Sequence, residues 1–148
     1  MLGNPTASFA LSVKQPWAAL IVAGLKTMEI RRWRTGRRGP ILIHAAREPD
    51  HRPEAWRQVP EEWLPLSQLR GGLIGSVELT DCVTYSDLSA FLTDRHRHLN
   101  EPDWFEPPLL YGFALKSPRI EPFRRYPGWF RFFRIKEAEK SAVSTGGG

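Results

Sequence analysis

Apolar positions in this chain come in short runs, and the spacing inside each run predicts an element. Residues 8–13 alternate and predict a short strand. Pro16 suits the first position of a helix, and Trp17, Leu20 and Ile21 follow at helical spacing. Gly24 tolerates a left-handed backbone and ends that helix, which spans Pro16–Ala23. Lys26–Trp33 reads as a strand, with Met28 and Ile30 on one side and Thr27, Glu29, Arg31 and Trp33 on the other. Thr35-Gly36-Arg37-Arg38-Gly39 is a basic turn, and Pro40–Ala46 a buried strand. Arg52–Val59 and Pro65–Arg70 read as short helices. Gly72–Tyr85 is a long β segment with a bulge expected at Gly75. Ser86 is the expected cap of a helix through Leu92. Residues 94–108 read as a polar loop. Leu110–Lys116, Arg119–Phe123 and Trp129–Ile135 read as strands, the last two separated by a turn at Tyr126-Pro127-Gly128. In the last of these, one reading points Phe130 and Phe132 inward and Arg131 outward.

Six or so strands with two or three short helices predict a mainly β fold with α insertions (α+β), built as a small, partly closed β-barrel. A parallel α/β sheet would need helices of regular length between its strands. One domain over 8–135 is expected, with flexible termini at 1–7 and 136–148.

Composition excludes several classes. The 148 residues fit one domain, and 41% hydrophobic with 25% charged residues is ordinary for a globular chain. No run approaches the roughly 20 apolar residues of a membrane span. The first residues, MLGNPTASFALSVKQPW, have neither the basic start nor the apolar centre of a secretory signal. One cysteine, Cys82, can make neither an internal disulfide nor a cysteine zinc site. A reducing compartment is expected: cytoplasm, or nucleus in a eukaryote.

Charge is distributed unevenly. The chain carries a net +5. Residues 26–47 hold seven basic groups against Glu29 alone, and 116–140 hold eight against three acidic groups. The middle, 48–115, holds five basic groups against twelve acidic ones. If the two basic segments meet in the fold, they form one positive face suited to a phosphate polyanion. Scattered, solvated arginines are the alternative.

Chemistry concentrates between Leu11 and Ala46. Gly24-Leu25-Lys26-Thr27-Met28-Glu29-Ile30-Arg31 places a carboxylate between two cations, with Glu29 and Arg31 on one strand face. Such a carboxylate stays ionised in a cleft, and the group offers an acceptor and several donors at fixed positions. It suits the edge of a nucleobase, with Lys26 or Arg31 serving a phosphate or carbonyl. Trp17 and Trp33 can stack on a base or build the cleft wall. Trp17 shares a helical face with Leu20 and Ile21, so a core role competes for it. A structural Glu29–Arg31 ion pair is the plain alternative for the motif. Arg37 and Arg38 read as exposed turn cations able to touch phosphate. Arg124, Arg125, Arg131 and Arg134, interleaved with Phe123, Tyr126, Trp129, Phe130, Phe132 and Phe133, extend the basic set and look like a nucleic-acid surface; a strand with its phenylalanines inward is the alternative. His44, in an apolar strand, reads as a hydrogen-bonded core residue, and His96 and His98 as loop histidines rather than metal ligands. No metal and no cofactor is expected.

This segment resembles the ASCH domain, the activating-signal-cointegrator homology family of the PUA-like superfamily. The family pattern G-x-K-x-x-E-x-R is filled by Gly24, Lys26, Glu29 and Arg31, and Lys14-Gln15-Pro16-Trp17 and the Arg38-Gly39 turn match its surroundings. The resemblance implies that the motif lines the ligand cleft of the barrel. It implies a nucleic-acid-binding module for RNA or DNA using Lys14, Gln15, Trp17, Lys26, Glu29, Arg31 and Trp33 with the flanking arginines, and a monomer is expected. The alternative it implies is a small hydrolase. One branch resembles an N4-acylcytidine amidohydrolase that uses a lysine, a threonine three positions later and a distant glutamate. Here the third position after Lys26 is Glu29, and Thr27 follows the lysine directly. Lys26 and Glu29 are then the catalytic candidates, through a proton relay to water, with Glu101 as a distant acid. Ribonuclease activity is implied only by family analogy.

Overall fold

Two long strands carry the sheet. In the computed structural model, which describes residues 7–136, Gly72–Tyr85 forms β4 and Leu110–Arg125 forms β5, paired antiparallel. The two strands expected at Leu110–Lys116 and Arg119–Phe123 are therefore one. Ser117 takes a positive φ of 54° and the β4–β5 register shifts three times, yet β4 pairs with both halves. The first half of β5 is mostly buried and the second exposed.

The remaining strands add to this pair. β3 (Gly39–Ala45) lies antiparallel on β4, with a register shift opposite Gly75, the expected bulge position. β1 (Phe9–Val13) runs parallel to β3, and β6 (Phe132–Arg134) antiparallel to β1. β2 (Met28–Arg31) pairs with the buried half of β5. The order is β2-β5-β4-β3-β1-β6. Strands β2 and β6 are shorter than the Lys26–Trp33 and Trp129–Ile135 runs expected of them, because Trp33 and Trp129 belong to the connections beyond.

Backbone pairing leaves β2 and β6 as edges, and side chains close the gap between them. The ring of Trp33, two residues past β2, meets Phe113 of β5 at 5.0 Å and Phe132 of β6 at 5.5 Å, both edge-on. The expected partly closed barrel is what forms, with an aromatic seam in place of a final ladder.

Helix α1 (Trp17–Val22) packs on β3, β4 and β5, and all six of its residues are buried. Leu11, Ile41, Ile43, Ile74, Val77 and Leu79 form the core around it. It ends as its sequence requires. Gly24 takes φ +87°, and the Leu20 carbonyl accepts from both Leu25 and Lys26 at 2.9 and 3.0 Å. The chain reverses within three residues and delivers Lys26 beside the start of β2.

The insertions are shorter than expected. α2 (Pro53–Trp56) and α3 (Leu64–Ser67) are single turns. α4 (Leu88–Thr93) is capped by Asp87, whose carboxylate accepts from the Ala90 amide at 2.9 Å, and not by Ser86. The stretch expected as a loop contains α5 (Arg95–His98) and a 3-10 turn at Pro102–Trp104. α4 and α5 seat a second cluster: Met28, Tyr85, Phe91, Leu110 and Ala114. No helix of the described residues is long and apolar enough to cross a membrane. The flexible ends expected at 1–7 and 136–148 fall almost wholly outside the described residues. The two of them that are described are tied down: Ala7 is buried, and the Lys136 amide donates to the Tyr126 hydroxyl at 2.9 Å.

Gly24→Ala tests the helix end. An alanine at a left-handed φ costs about 1–2 kcal/mol. Urea unfolding followed by circular dichroism should show a lower midpoint and an unchanged slope.

Candidate functional site

The floor of the site follows from the turn at Gly24. Lys26 is 2% exposed. Its ammonium donates to the carbonyl of His98 at the end of α5 and lies 3.6 Å from Glu29 Oε1. It also sits 4.8 Å from the centre of the Trp17 ring. Burial dominates its ionisation and lowers its pKa to about 8, against the opposing pull of Glu29. The period of β2 then turns Glu29 and Arg31 to the same side. Arg31 Nε donates to Glu29 Oε2 at 3.0 Å, and its Nη2 to the Ser12 carbonyl at 2.8 Å. The three charged groups of the motif form one chain, Lys26–Glu29–Arg31, along the floor. His98 is the hidden support. Its ring is fully buried, stacked on Phe91 at 4.2 Å, and donates from Nε2 to the Phe91 carbonyl at 2.7 Å. Burial lowers its pKa to about 4, so the ring is neutral at pH 7. His98 is thus a core residue, not the loop histidine expected.

One wall is aromatic and held by an acid. Trp17 donates from its indole to Asp50 Oδ2 at 2.8 Å and meets the edge of Trp104 at 6.0 Å. Asp50 also accepts from the Arg52 amide at 2.9 Å and from its guanidinium at 2.7 Å, and the Arg52 guanidinium lies 3.6 Å from the centre of Trp104. Burial opposes ionisation of Asp50, but the hydrogen bonds from Arg52 and Trp17 outweigh it and hold the carboxyl at about 2.

The opposite rim is the segment from Tyr126 to Arg131. His44 pins it. Its Nε2 donates to the Tyr126 carbonyl at 2.7 Å, and its Nδ1 accepts from the Ser12 hydroxyl at 3.0 Å. This tautomer follows from the carbonyl, which can only accept. Burial lowers the His44 pKa, keeping the ring neutral. Gly128 passes so close that a Cβ there would lie 2.7 Å from His44 Cε1. The next two residues are thrown outward. Trp129 is 66% exposed and Phe130 72%, their rings stacked at 5.6 Å. The inward direction expected of Phe130 is not observed. It points out because Arg131 takes a left-handed φ of 56° and breaks the alternation before β6 begins. Arg131 then lies over Trp33 at 4.9 Å.

Floor, wall and rim enclose an open cleft of about 510 Å³. Of the residues predicted from sequence, Lys14, Trp17, Lys26, Glu29, Arg31 and Trp33 line it. Gln15 does not. It is fully buried behind the wall, its amide spent on the Leu66 and Leu69 carbonyls and the Ala19 amide. Arg37 lies along the seam on Phe9 and Phe132, and Arg38 is exposed, 3.7 Å from Asp81. Arg124 and Arg125 sit on the far part of β5, opposite Leu73 and Gly72, and are not on the cleft wall. Sequence reasoning missed Asp50, Arg52 and Asn100 on the lining, while Trp129, Phe130 and Arg131, part of the basic aromatic set, do stand on it. For Asp50 a signal existed, since Asp-His-Arg-Pro is the start of a helix with its turn-forming acid. A neighbouring cleft of about 620 Å³ shares Lys14, Ile30, Arg31, Trp33, Arg52 and Asn100, and adds Trp104 and Arg32. Among the described residues, no cluster of three or more His, Cys, Asp or Glu side chains is placed to hold a metal.

The floor therefore presents an acceptor flanked by two cations, under tryptophan walls and below an exposed aromatic rim. Comparison with known proteins gives this arrangement a family. A model of the ASCH domain matches residues 11–141. Activating signal cointegrator 1 of Homo sapiens is 32% identical over 119 residues, covering 75% of this chain and 19% of that protein. The Mus musculus protein of the same name is 34% identical over 84 residues, covering 51% and 14%. The chain thus spans a fifth or less of the curated relatives it matches. Among solved structures, ASCH from Zymomonas mobilis aligns with TM-score 0.61 and 19% identity over 93% of each chain. A serine-to-alanine mutant of that same bacterial protein aligns with TM-score 0.63 and 16% identity over 97% of this chain and 98% of that one. At such identities the likeness is one of fold. The family model spans most of the chain, including the whole Gly24–Arg31 motif, and on that ground the chain belongs to the ASCH domain family.

Proposed function

We propose that residues 8–135 form a nucleic-acid-binding module that seats one unpaired base in the cleft. The observation that carries this reading is the combination of an exposed Trp129–Phe130 stack at the mouth with the Lys26–Glu29–Arg31 chain beneath it. Exposed, stacked aromatics in a basic setting suit the faces of unpaired bases. A carboxylate between two cations suits a base edge, which carries donors and acceptors side by side. The size fits, since about 510 Å³ lies within the ~300–1,000 Å³ usual for small-ligand sites. Family membership adds support, since the motif resembles that of modules whose relatives bind RNA.

A hydrolytic reading rests on a single observation: a buried lysine with its pKa near 8 beside a carboxylate resembles a proton-transfer pair. The threonine that the amidohydrolase branch uses has no counterpart here. Thr27 is absent from the cleft and borders a small apolar void on the other side of Lys26. Binding is therefore the reading we put first. Incubation with N4-acetylcytidine separates the two, since turnover lost in Glu29→Gln would replace binding by catalysis.

Fluorescence anisotropy with labelled single-stranded RNA, double-stranded RNA and duplex DNA of equal length tests the module. Salt-sensitive binding that favours single strands is expected. No binding at low salt would overturn it. Trp129→Ala should weaken single-strand binding by about 1–3 kcal/mol, the usual loss for one stacking platform. Its thermal midpoint should stay at the wild-type value, because the ring is two-thirds exposed.

The pH dependence has a defined sign. Lys26 is charged below about 8 and loses its proton above it. An exposed lysine would keep its charge to about 10. Affinity for an oligocytidylate should fall as pH rises through about 8. Lys26→Met should bind weakly at every pH and lack that step. A wild-type affinity flat across this window would remove Lys26 from the interface.

A further inference from the structure

The cleft opens onto a strip of arginines that the base-binding reading does not use. Four cation–ring contacts and one ring–ring contact make it. From the cleft wall, Trp33 carries the Arg131 guanidinium at 4.9 Å and meets Phe132 at 5.5 Å. Phe132 carries Arg37 at 5.2 Å. Arg37 lies 3.8 Å over Phe9, and Phe9 also carries Arg134 at 4.7 Å. The path runs from the cleft along the seam to the outer edge formed by β6 and β1. Apart from the direct Trp33–Phe132 contact, each step passes between a ring and a guanidinium.

Among the described residues, its charges have no carboxylate partner. Among the described residues, Arg31, Arg32, Arg38, Arg52 and Arg95 each lie within 4 Å of a carboxylate, whereas Arg37, Arg131 and Arg134 do not. A guanidinium held over a ring by its charge keeps N–H groups available, and these can bind phosphate oxygens in pairs. Stacking also fixes the side chain beforehand, so less freedom is lost when a phosphate arrives. The strip draws on both basic segments of the sequence, Arg37 from the first and Arg131 and Arg134 from the second. The rings beneath are covered by guanidinium groups, so they are not platforms for bases. An edge strand bearing arginines is also ill-suited to joining a second copy of itself.

The geometry points to a phosphate track: Arg131, Arg37 and Arg134 hold successive phosphates of a single strand whose neighbouring base sits in the cleft. The ligand class is then an oligonucleotide several units long, not a free nucleoside. This inference rests on the base-binding reading above and specifies its ligand. A polynucleotide is favoured over an acidic peptide because the strip begins at a cleft bordered by a paired aromatic stack, for which a run of carboxylates has no counterpart.

The test compares ligand lengths, from a mononucleotide to a strand of roughly eight nucleotides, within the ~4–16 covered by comparable surfaces. Wild type should gain affinity with each added unit. The double variant Arg37→Gln/Arg134→Gln should bind the mononucleotide as wild type does and lose most of that gain. Its salt slope on the longest strand should fall by about 1.4, at about 0.7 for each lost single-strand phosphate contact. Arg134→Gln alone should lose about 0.7; this exposed position keeps the test valid if loss of the Arg37 stacking lowers stability. Arg119→Gln, exposed on β5, should change nothing beyond experimental error. An unchanged length dependence and slope in the double variant would overturn the track, and so would an equal loss in Arg119→Gln, which would mean diffuse charge. Displacement of the strand by a polyglutamate peptide, sensitive to Arg37 and Arg134, would make the partner an acidic peptide and also overturn it. Failure of the parent reading looks different: neither mononucleotide nor strand binds wild type.

Discussion

Everything at this site depends on burying one ammonium group. A lysine 2% exposed is tolerated only where its protons find acceptors, and Lys26 has two protein ones, the His98 carbonyl and Glu29. Each acceptor imposes a structural requirement. The first requires α5 to end against the start of β2, which fastens the 86–108 insertion to the barrel. Phe91 stacked on His98 and Tyr85 bonded to Asp94 make that attachment. The second requires Glu29 to face the cleft, which fixes the phase of β2 and so the direction of Arg31. The helix stop at Gly24, the register of β2 on β5 and the placement of α5 are conditions for the same charge.

The parts legible in the sequence are those set by local chemistry. The end of α1, the span of β4, the buried β3 and the clustering of Lys26, Glu29 and Arg31 all follow from nearest neighbours. His44 as a hydrogen-bonded core residue does too. The errors arise where tertiary structure overrides local pattern. Ser117-Pro118 looks like a strand break, yet β5 runs through it. β2 pairs with β5 only as far as Ala114, so Pro118 and Pro122 fall where β5 has no neighbour on that side. Phe130-Arg131-Phe132 alternates like a strand, but the left-handed Arg131 reverses the sense of the first residue. His98 could not have been found from its polar neighbours, because the group that matters is its carbonyl.

The two halves of the cleft are built by different means. The floor is electrostatic: three charged side chains and one carbonyl, closely coupled and shielded from solvent. The rim is positioned from behind by neutral contacts, with His44 holding the Tyr126 carbonyl and a glycine allowing the backbone past the imidazole. The pinned part of the segment, through Gly128, gives Trp129 and Phe130 a fixed base, while their rings remain in solvent. Because floor and rim are held by different contacts, a substitution in one should disturb the geometry of the other little.

The aromatic seam links this site to its surroundings for a structural reason. A barrel closed by a full ladder would have no gap between β2 and β6, and Trp33 would have no space to occupy. Because the last ladder is missing, Trp33 serves both sides. It seals the core against Phe113 and Phe132, and its outer face borders the cleft and carries Arg131. The same residue that completes the fold sets the boundary between the base-sized cleft and the arginine strip. Partial closure is thus what gives this small barrel a cleft continuous with its core.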